Sequence, residues 1–178
     1  PNAVLLGWSD DPERAGMFGR MLRVCRNFGR SLLVVRSPEE TENSELQSGT
    51  IDIWWRGGRH GTLMLLLAHL MTLDQDLRNR TVRLVRAVKT EDEVEKAEAS
   101  LLKLIEESRV RAVAKVVHGD DVIPLLHGVA EEAAVVMIGF EPPPEGEEAP
   151  WRENLTQWMP EGRYVLLVSS AGGHSLTS

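Results

Sequence analysis

Gly49 to Thr72 read GTIDIWWRGGRHGTLMLLLAHLMT, which holds the longest apolar run of the chain and its only adjacent pair of tryptophans. Ile51 to Trp55 read as a short buried strand, because a β-branched and aromatic run bounded by turn residues suits a pleated surface. Gly57, Gly58 and Gly61 then break the strand, and Thr62 is the first good N-cap after them. Leu63 to Met71 is apolar apart from His69, so the helix that follows must be covered on nearly all sides. At nine residues it falls far short of the roughly 20 that span a bilayer. It is a core helix, or one that a second chain covers. In a regular strand Trp54 and Trp55 point to opposite sides of the sheet. If Trp54 and Leu66 are fully buried, truncating either to alanine costs about 2–5 kcal/mol.

Outward from this stretch, strand and helix patterns alternate. Ala3 to Trp8 opens as a buried strand. Asp11 is an N-cap and Pro12 the first residue of a helix running to about Phe28, with Gly29 as its stop. Met17, Phe18, Met21, Leu22, Cys25 and Phe28 form one apolar face of that helix. Ser31 to Arg36 is the next strand. Ser37 to Ser48 carries Pro38 and four glutamates without periodicity, and reads as a solvated link.

Beyond the opening stretch, Thr81 to Val88 reads as a strand, alternating before it turns apolar. Thr90 and Glu93 have capping-box spacing at the start of a helix to about Glu107. Its buried stripe is Val94, Ala97, Leu101, Leu104 and Ile105. Arg111 to Val117 is a strand, Asp121 to Ala130 a short helix, and AAVVMIGF, ending at Phe140, a very apolar strand. Glu141 to Pro150, EPPPEGEEAP, reads as an extended exposed loop. Trp151, Leu155 and Trp158 share one face of a short helix. Tyr164 to Ser169 is the last strand, and Gly172 to Ser178 a tail. The pattern predicts an α/β three-layer sandwich with a mostly parallel sheet in a single domain. The link without a helix, between the second and third strands, leaves room for one edge strand to run antiparallel.

Composition narrows the function classes. The chain has 178 residues, 42% hydrophobic and 26% charged, with formal net charge −7. That balance argues against nucleic acid, whose phosphates need clustered Lys and Arg. The lone Cys25 excludes an internal disulfide and fits a reduced compartment. No signal peptide or membrane-spanning segment is present in it. The first residue is Pro1, so the expected setting is a domain cut from a longer protein.

Ligands in such folds bind beyond the carboxyl ends of the strands. The foremost candidate is Gly57, Gly58, Arg59, His60 and Gly61, with Arg56 beside them, a glycine-rich basic turn entering a helix, where N–H groups and the helix dipole favour an anion. Its spacing fits neither the dinucleotide fingerprint nor the P-loop. Ser9, Asp10 and Asp11 read as a helix start. His118, Gly119, Asp120, Asp121 and His127 lack tight metal-ligand spacing, so no metal is assigned. Ser169, Ser170 and His174 lie in or near the tail and lack the orienting group of a triad. His69 reads as a core or interface histidine. No catalytic constellation and no cofactor are assigned, and a free-standing hydrolase is the weakest reading.

The string GTIDIWWRGGRHGTLMLLLAHLMTLDQDLRNRTVRLVRAV resembles a stretch of the cation–chloride cotransporters. There a Thr-Ile-Asp-hydrophobic-Trp-Trp strand leads through a glycine turn into a Leu-rich helix and a basic strand. PNAVLLGW is similar to the start of that family's cytoplasmic C-terminal domain, and RYVLLVSSAGGHSLTS to its closing strand and tail. The resemblance implies a cytosolic domain with a fold like universal stress proteins. It would follow a twelve-helix transporter of the amino acid–polyamine–organocation superfamily. Its implied roles are dimerisation and regulation of Na⁺, K⁺ and Cl⁻ symport at the cytoplasmic face of the cell membrane, with a homodimer and the transmembrane domain of the same polypeptide as partners.

Animal members carry two related halves and long phosphorylated insertions, whereas this chain is one compact unit, which points to a prokaryotic member. ATP-binding stress proteins carry a glycine-rich loop after their fourth strand. The corresponding FEPPPEGEEAP has clustered carboxylates that would repel a triphosphate, so no ATP binding is expected by that route. A nucleotide- or anion-sensing module using Gly57 to Gly61 is the alternative.

Overall fold

The structure, a computed structural model, describes residues 2–38 and 48–172. The expected link over Ser37–Ser48 and the expected tail lie almost wholly outside them. Seven strands form one sheet: β1 (Ala3–Gly7), β2 (Ser31–Arg36), β3 (Thr50–Trp54), β4 (Val82–Val88), β5 (Ala112–His118), β6 (Ala133–Gly139) and β7 (Tyr164–Ser169). Five α-helices connect them: α1 (Ala15–Asn27), α2 (Gly58–Met71), α3 (Val94–Ser108), α4 (Val122–Ala130) and α5 (Glu148–Trp158).

The strand order is β1-β2-β7-β6-β3-β4-β5. β3 to β7 are mutually parallel, and β2 meets β7 antiparallel while remaining parallel to β1. The expectation of one reversed edge strand is thus corrected to two. A βαβ crossover through α1 ties β1 to β2, so the reversal at the link after β2 separates the pair from the rest.

Both faces are covered, as the three-layer reading requires. Leu22 of α1, Leu126 and Val129 of α4 and Leu155 of α5 pack on one side with Trp54, Val136 and Leu167. Leu63, Met64, Leu65 and Ala68 of α2 and Leu101 of α3 pack on the other with Ile51, Ile53 and Leu84. Trp54, 1% exposed, belongs to the first side and the half-buried Trp55 to the second, the opposed placement that a regular strand imposes.

Several boundaries move. α2 starts at Gly58, with Gly57 at φ 129° as its N-cap, four residues before the expected start at Thr62. Gly61 does not break the strand-to-helix join. It lies inside the helix against the Trp55 ring, where any Cβ would overlap ring carbons. Nor is α2 covered all round, since Leu66 is 38% and Leu70 52% exposed.

Of the expected apolar face of α1, Phe18, Leu22 and Cys25 pack on the core beside the buried Ala15 and Gly19, while Met17, Met21 and Phe28 point to solvent. Small residues win because the helix lies against the loop before α5: a Cβ on Gly19 would meet Glu148 Cγ at 2.6 Å and Pro143 Cγ at 2.9 Å. That loop is shorter than expected, for Glu148–Pro150 already form the first turn of α5, where proline needs no hydrogen-bonded N–H. Pro143 is buried rather than exposed. β1, expected buried, is an edge strand with Leu5 66% exposed.

Local signals hold at the caps. Asp11 accepts from the Glu13 N–H at 3.0 Å, the Thr90–Glu93 capping box is closed in both directions, and Gly29 ends α1 at φ 67°.

Candidate functional site

β3, β6 and β7 end side by side because they are adjacent and parallel, and the segments leaving them converge. From β3 comes the turn Arg56–Gly57 and the start of α2 with Arg59 and His60. From β6 comes Glu141, and from β7 comes Ser170. The Glu141 carboxylate is the hub. Arg59 Nη1 donates to its Oε1 at 2.8 Å, His60 Nε2 lies 3.2 Å from the same oxygen, and Arg26 Nη2 of α1 is 3.6 Å from Oε2. The Glu141 carbonyl in turn accepts from Trp151 Nε1 at 2.9 Å.

The anion that the basic turn calls for is therefore the chain's own. The FEPPPEGEEAP carboxylates were expected to repel a phosphate; one of them, Glu141, instead meets the side chains of Arg59 and His60 at that helix start. Arg56 is also engaged, its guanidinium 4.3 Å above the centre of the Trp158 ring.

His60 links this hub to the last strand. Its Nδ1 accepts from the Ser170 N–H at 3.0 Å, which places the proton of the neutral ring on Nε2, directed at Glu141. The Ser170 carbonyl accepts from Arg26 Nη1, and the Ala171 N–H donates to Ser31 Oγ at 3.1 Å. Burial pushes the His60 pKa below the usual histidine range, against the pull of Glu141 and with the push of Arg26 and Arg59. Gly139 makes room for the ring, since a Cβ there would sit 2.9 Å from His60 Cδ2.

A cleft of about 400 Å³ opens beside the hub, lined by Trp54, Arg56, Arg59, His60, Phe140 and Glu141. A neighbouring one of about 340 Å³ runs between Arg56, Arg86, Val122 and Trp158. Trp54 lines both, and its buried Nε1 has no hydrogen-bond partner among the described residues. Arg86 makes no ion pair among them either.

The other candidates do not join this cluster. Ser9 Oγ accepts from the Asp11 N–H, and Asp10 accepts from Trp8 Nε1 at 3.1 Å and pairs with Arg36, so all three residues shape the start of α1. Asp121 caps α4 through the Ile123 N–H, and His127 Nε2 reaches the Gln157 carbonyl at 3.0 Å. Among the described residues no three His, Cys, Asp or Glu side chains gather closely enough to hold a metal. Ser169 is buried, Ser170 is held as above, and His174 lies outside the described residues. His69 is exposed on α2.

One constellation escaped sequence reasoning. Asp52, fully buried in β3, sits opposite Arg83 in the β3–β4 register and receives two hydrogen bonds from it, each 2.7 Å. Arg83 also donates to Glu132 and to the Val129 carbonyl, and the Thr50 hydroxyl donates to Asp52 at 2.7 Å. The bonds to Asp52 raise the Arg83 pKa further. A charge inside an apolar run, TIDIW, was the available signal, because such a charge demands a buried partner.

The sequence matches no protein-family model and none of the curated proteins. Among solved structures, the cytoplasmic domain of a prokaryotic cation chloride cotransporter aligns with TM-score 0.73 at 15% identity, over 99% of this chain and 66% of that one. The chain thus has that domain's fold and spans about two thirds of its length. A protein described as a universal stress protein, from Pseudomonas aeruginosa UCBPP-PA14, aligns with TM-score 0.47 at 13% identity, over 93% of this chain. No helix among the described residues is long and apolar enough to cross a membrane.

Proposed function

We propose that this chain is the cytosolic regulatory and dimerisation domain of a cation–chloride cotransporter, attached to a transmembrane part of the same polypeptide and without enzymatic activity of its own. The observation that carries the reading is the likeness of fold to such a domain over 99% of the chain. The closed hub agrees with it: the basic groups of the strand-end cluster are spent on Glu141 and Trp158, which gives a rigid scaffold rather than a reactive site. Exposed apolar side chains on α1 and α2 supply surface for association.

The test is chloride-dependent Na⁺ and K⁺ uptake by vesicles carrying the intact polypeptide, with and without residues 1–178. Loss or deregulation of uptake on deletion is expected. Unchanged flux, or an intact polypeptide lacking a multi-span membrane region, overturns the proposal.

A second reading, an anion-sensing module, is favoured by Trp54 Nε1 and Arg86 beside the two clefts. Titration calorimetry with pyrophosphate or ATP, on the wild type and on Arg86→Gln, decides it: heat that disappears in the variant supports it, and no heat removes it.

A further inference from the structure

We infer that the outer face of α1 is where a second copy of this chain docks, with the two α1 helices antiparallel about a two-fold axis between Met21 and Val24. The inference rests on the dimerisation reading above and assigns its surface. Met17, Met21, Val24 and Phe28 are 70%, 39%, 48% and 75% exposed, although all four are large and apolar. They recur at intervals of four, three and four residues, so they form a single stripe, as in a helix–helix seam. The stripe lies opposite Ala15, Gly19 and Leu22, which face the body of the domain, and nothing within the described chain covers it.

Antiparallel pairing about that axis sets Met17 against Phe28 and Met21 against Val24, so every residue of the stripe meets an apolar partner. Charge selects the same direction. The helix begins beside the exposed Asp11 and Glu13 and ends beside the exposed Arg30, with no Asp or Glu between Arg14 and Arg30. Antiparallel copies lay the acidic start over the basic end and oppose their dipoles, whereas parallel copies put like on like.

Other occupants fit less well. Of the arginines along α1, Arg23 is drawn to Glu148 and Arg26 to Glu141, which leaves the exposed Arg20 as a single charge within the helix for an anionic membrane, on a chain of net charge −7. The stripe on α2 is shorter, with Leu66 and Leu70 on the helix and Leu73 just past it, against Met17, Met21 and Val24 on α1 and Phe28 just past it. One helix pair buries less than the ~800 Å² per partner of a standard interface. Association is accordingly weak in solution and rises when both copies share a membrane.

Sedimentation velocity on the full chain and single-cysteine cross-linking in a Cys25→Ser background test the assignment. In the antiparallel pair the two copies of residue 24 lie about 4.5 Å apart along the axis and those of residue 17 about 16 Å apart. Val24→Cys is expected to cross-link with a short bis-maleimide and Met17→Cys not. The exposed-site double variant Met21→Glu/Val24→Glu is expected to sediment as one chain with unchanged thermal unfolding. Cross-linking at both positions overturns the antiparallel register. A dimer that survives Met21→Glu/Val24→Glu but is lost in Leu66→Glu/Leu70→Glu overturns the α1 assignment and leaves the dimerisation reading standing. A wild type monomeric in solution, and uncross-linked in the intact membrane polypeptide, overturns both. Vesicle binding that depends on Met21, without self-association, overturns the second copy as occupant.

Discussion

Replacing Arg83 by methionine tests the least solvated ion pair of the fold. Asp52 is fully buried and Arg83 7% exposed, and their two 2.7 Å hydrogen bonds neutralise a carboxylate that water does not reach. Methionine keeps much of the volume but none of the donors, so Asp52 retains only the Thr50 hydroxyl. Breaking a buried pair from one side costs about 3–5 kcal/mol. That is a large share of the roughly 5–15 kcal/mol that holds a domain folded. Removing both charges, in Asp52→Val/Arg83→Met, takes away the orphaned carboxylate, and stability should recover most of the loss. Urea unfolding followed by circular dichroism, with midpoints compared at constant slope, gives both numbers. A loss under about 1 kcal/mol for the single variant, or a double variant no better than the single, would refute the argument that burial makes this pair interdependent.

Other outcomes follow from the same packing. Because burial lowers the His60 pKa, below about pH 6.5 the unfolded chain binds a proton that the folded chain resists. Stability therefore falls as pH drops through that value, His60→Gln flattens the slope, and the Ser170 amide, which loses its Nδ1 acceptor on protonation, exchanges hydrogen faster in the wild type. Gly61→Ala should destabilise by about 1–3 kcal/mol in chemical unfolding, since its methyl collides with Trp55. Gly128→Ala, in open space within α4, should stabilise by about 0.5–1 kcal/mol. Trp54→Ala should cost about 3–5 kcal/mol. Leu66→Ala, at a residue 38% exposed, should cost under about 1 kcal/mol in the same melts, short of what a fully buried leucine would lose.

The elements were legible where one interaction dominates. The runs SLLVVR and YVLLVS became β2 and β7 with the predicted ends, because short continuous apolar stretches rich in valine and bounded by turn residues leave few alternatives. Caps at Asp11, Thr90 and Asp121 were likewise readable from single residues. Glycine was misread where its role is tertiary: Gly61 looks like part of a strand-ending turn until Trp55 stands against it inside α2. The apolar face of α1 was half right: Phe18, Leu22 and Cys25 pack on the core, whereas Met17, Met21 and Phe28 lie on the outer side, because the inward face continues through Ala15 and Gly19 instead.

The strand-end cluster carries the lesson furthest. The turn at Gly57–Gly61 reads as a place for an anion, and the acidic loop after β6 as a place hostile to one. Both follow from local charge, and neither could reveal that the sheet order sets β3 beside β6. Once adjacent, the two features answer each other: Arg59 and His60 receive Glu141. His60 then passes its remaining nitrogen to the backbone of β7. A residue singled out for binding something external is thus bound to two other segments of its own chain. An incoming anion would compete with Glu141 for Arg59 and His60, which weighs against a sensor using that turn.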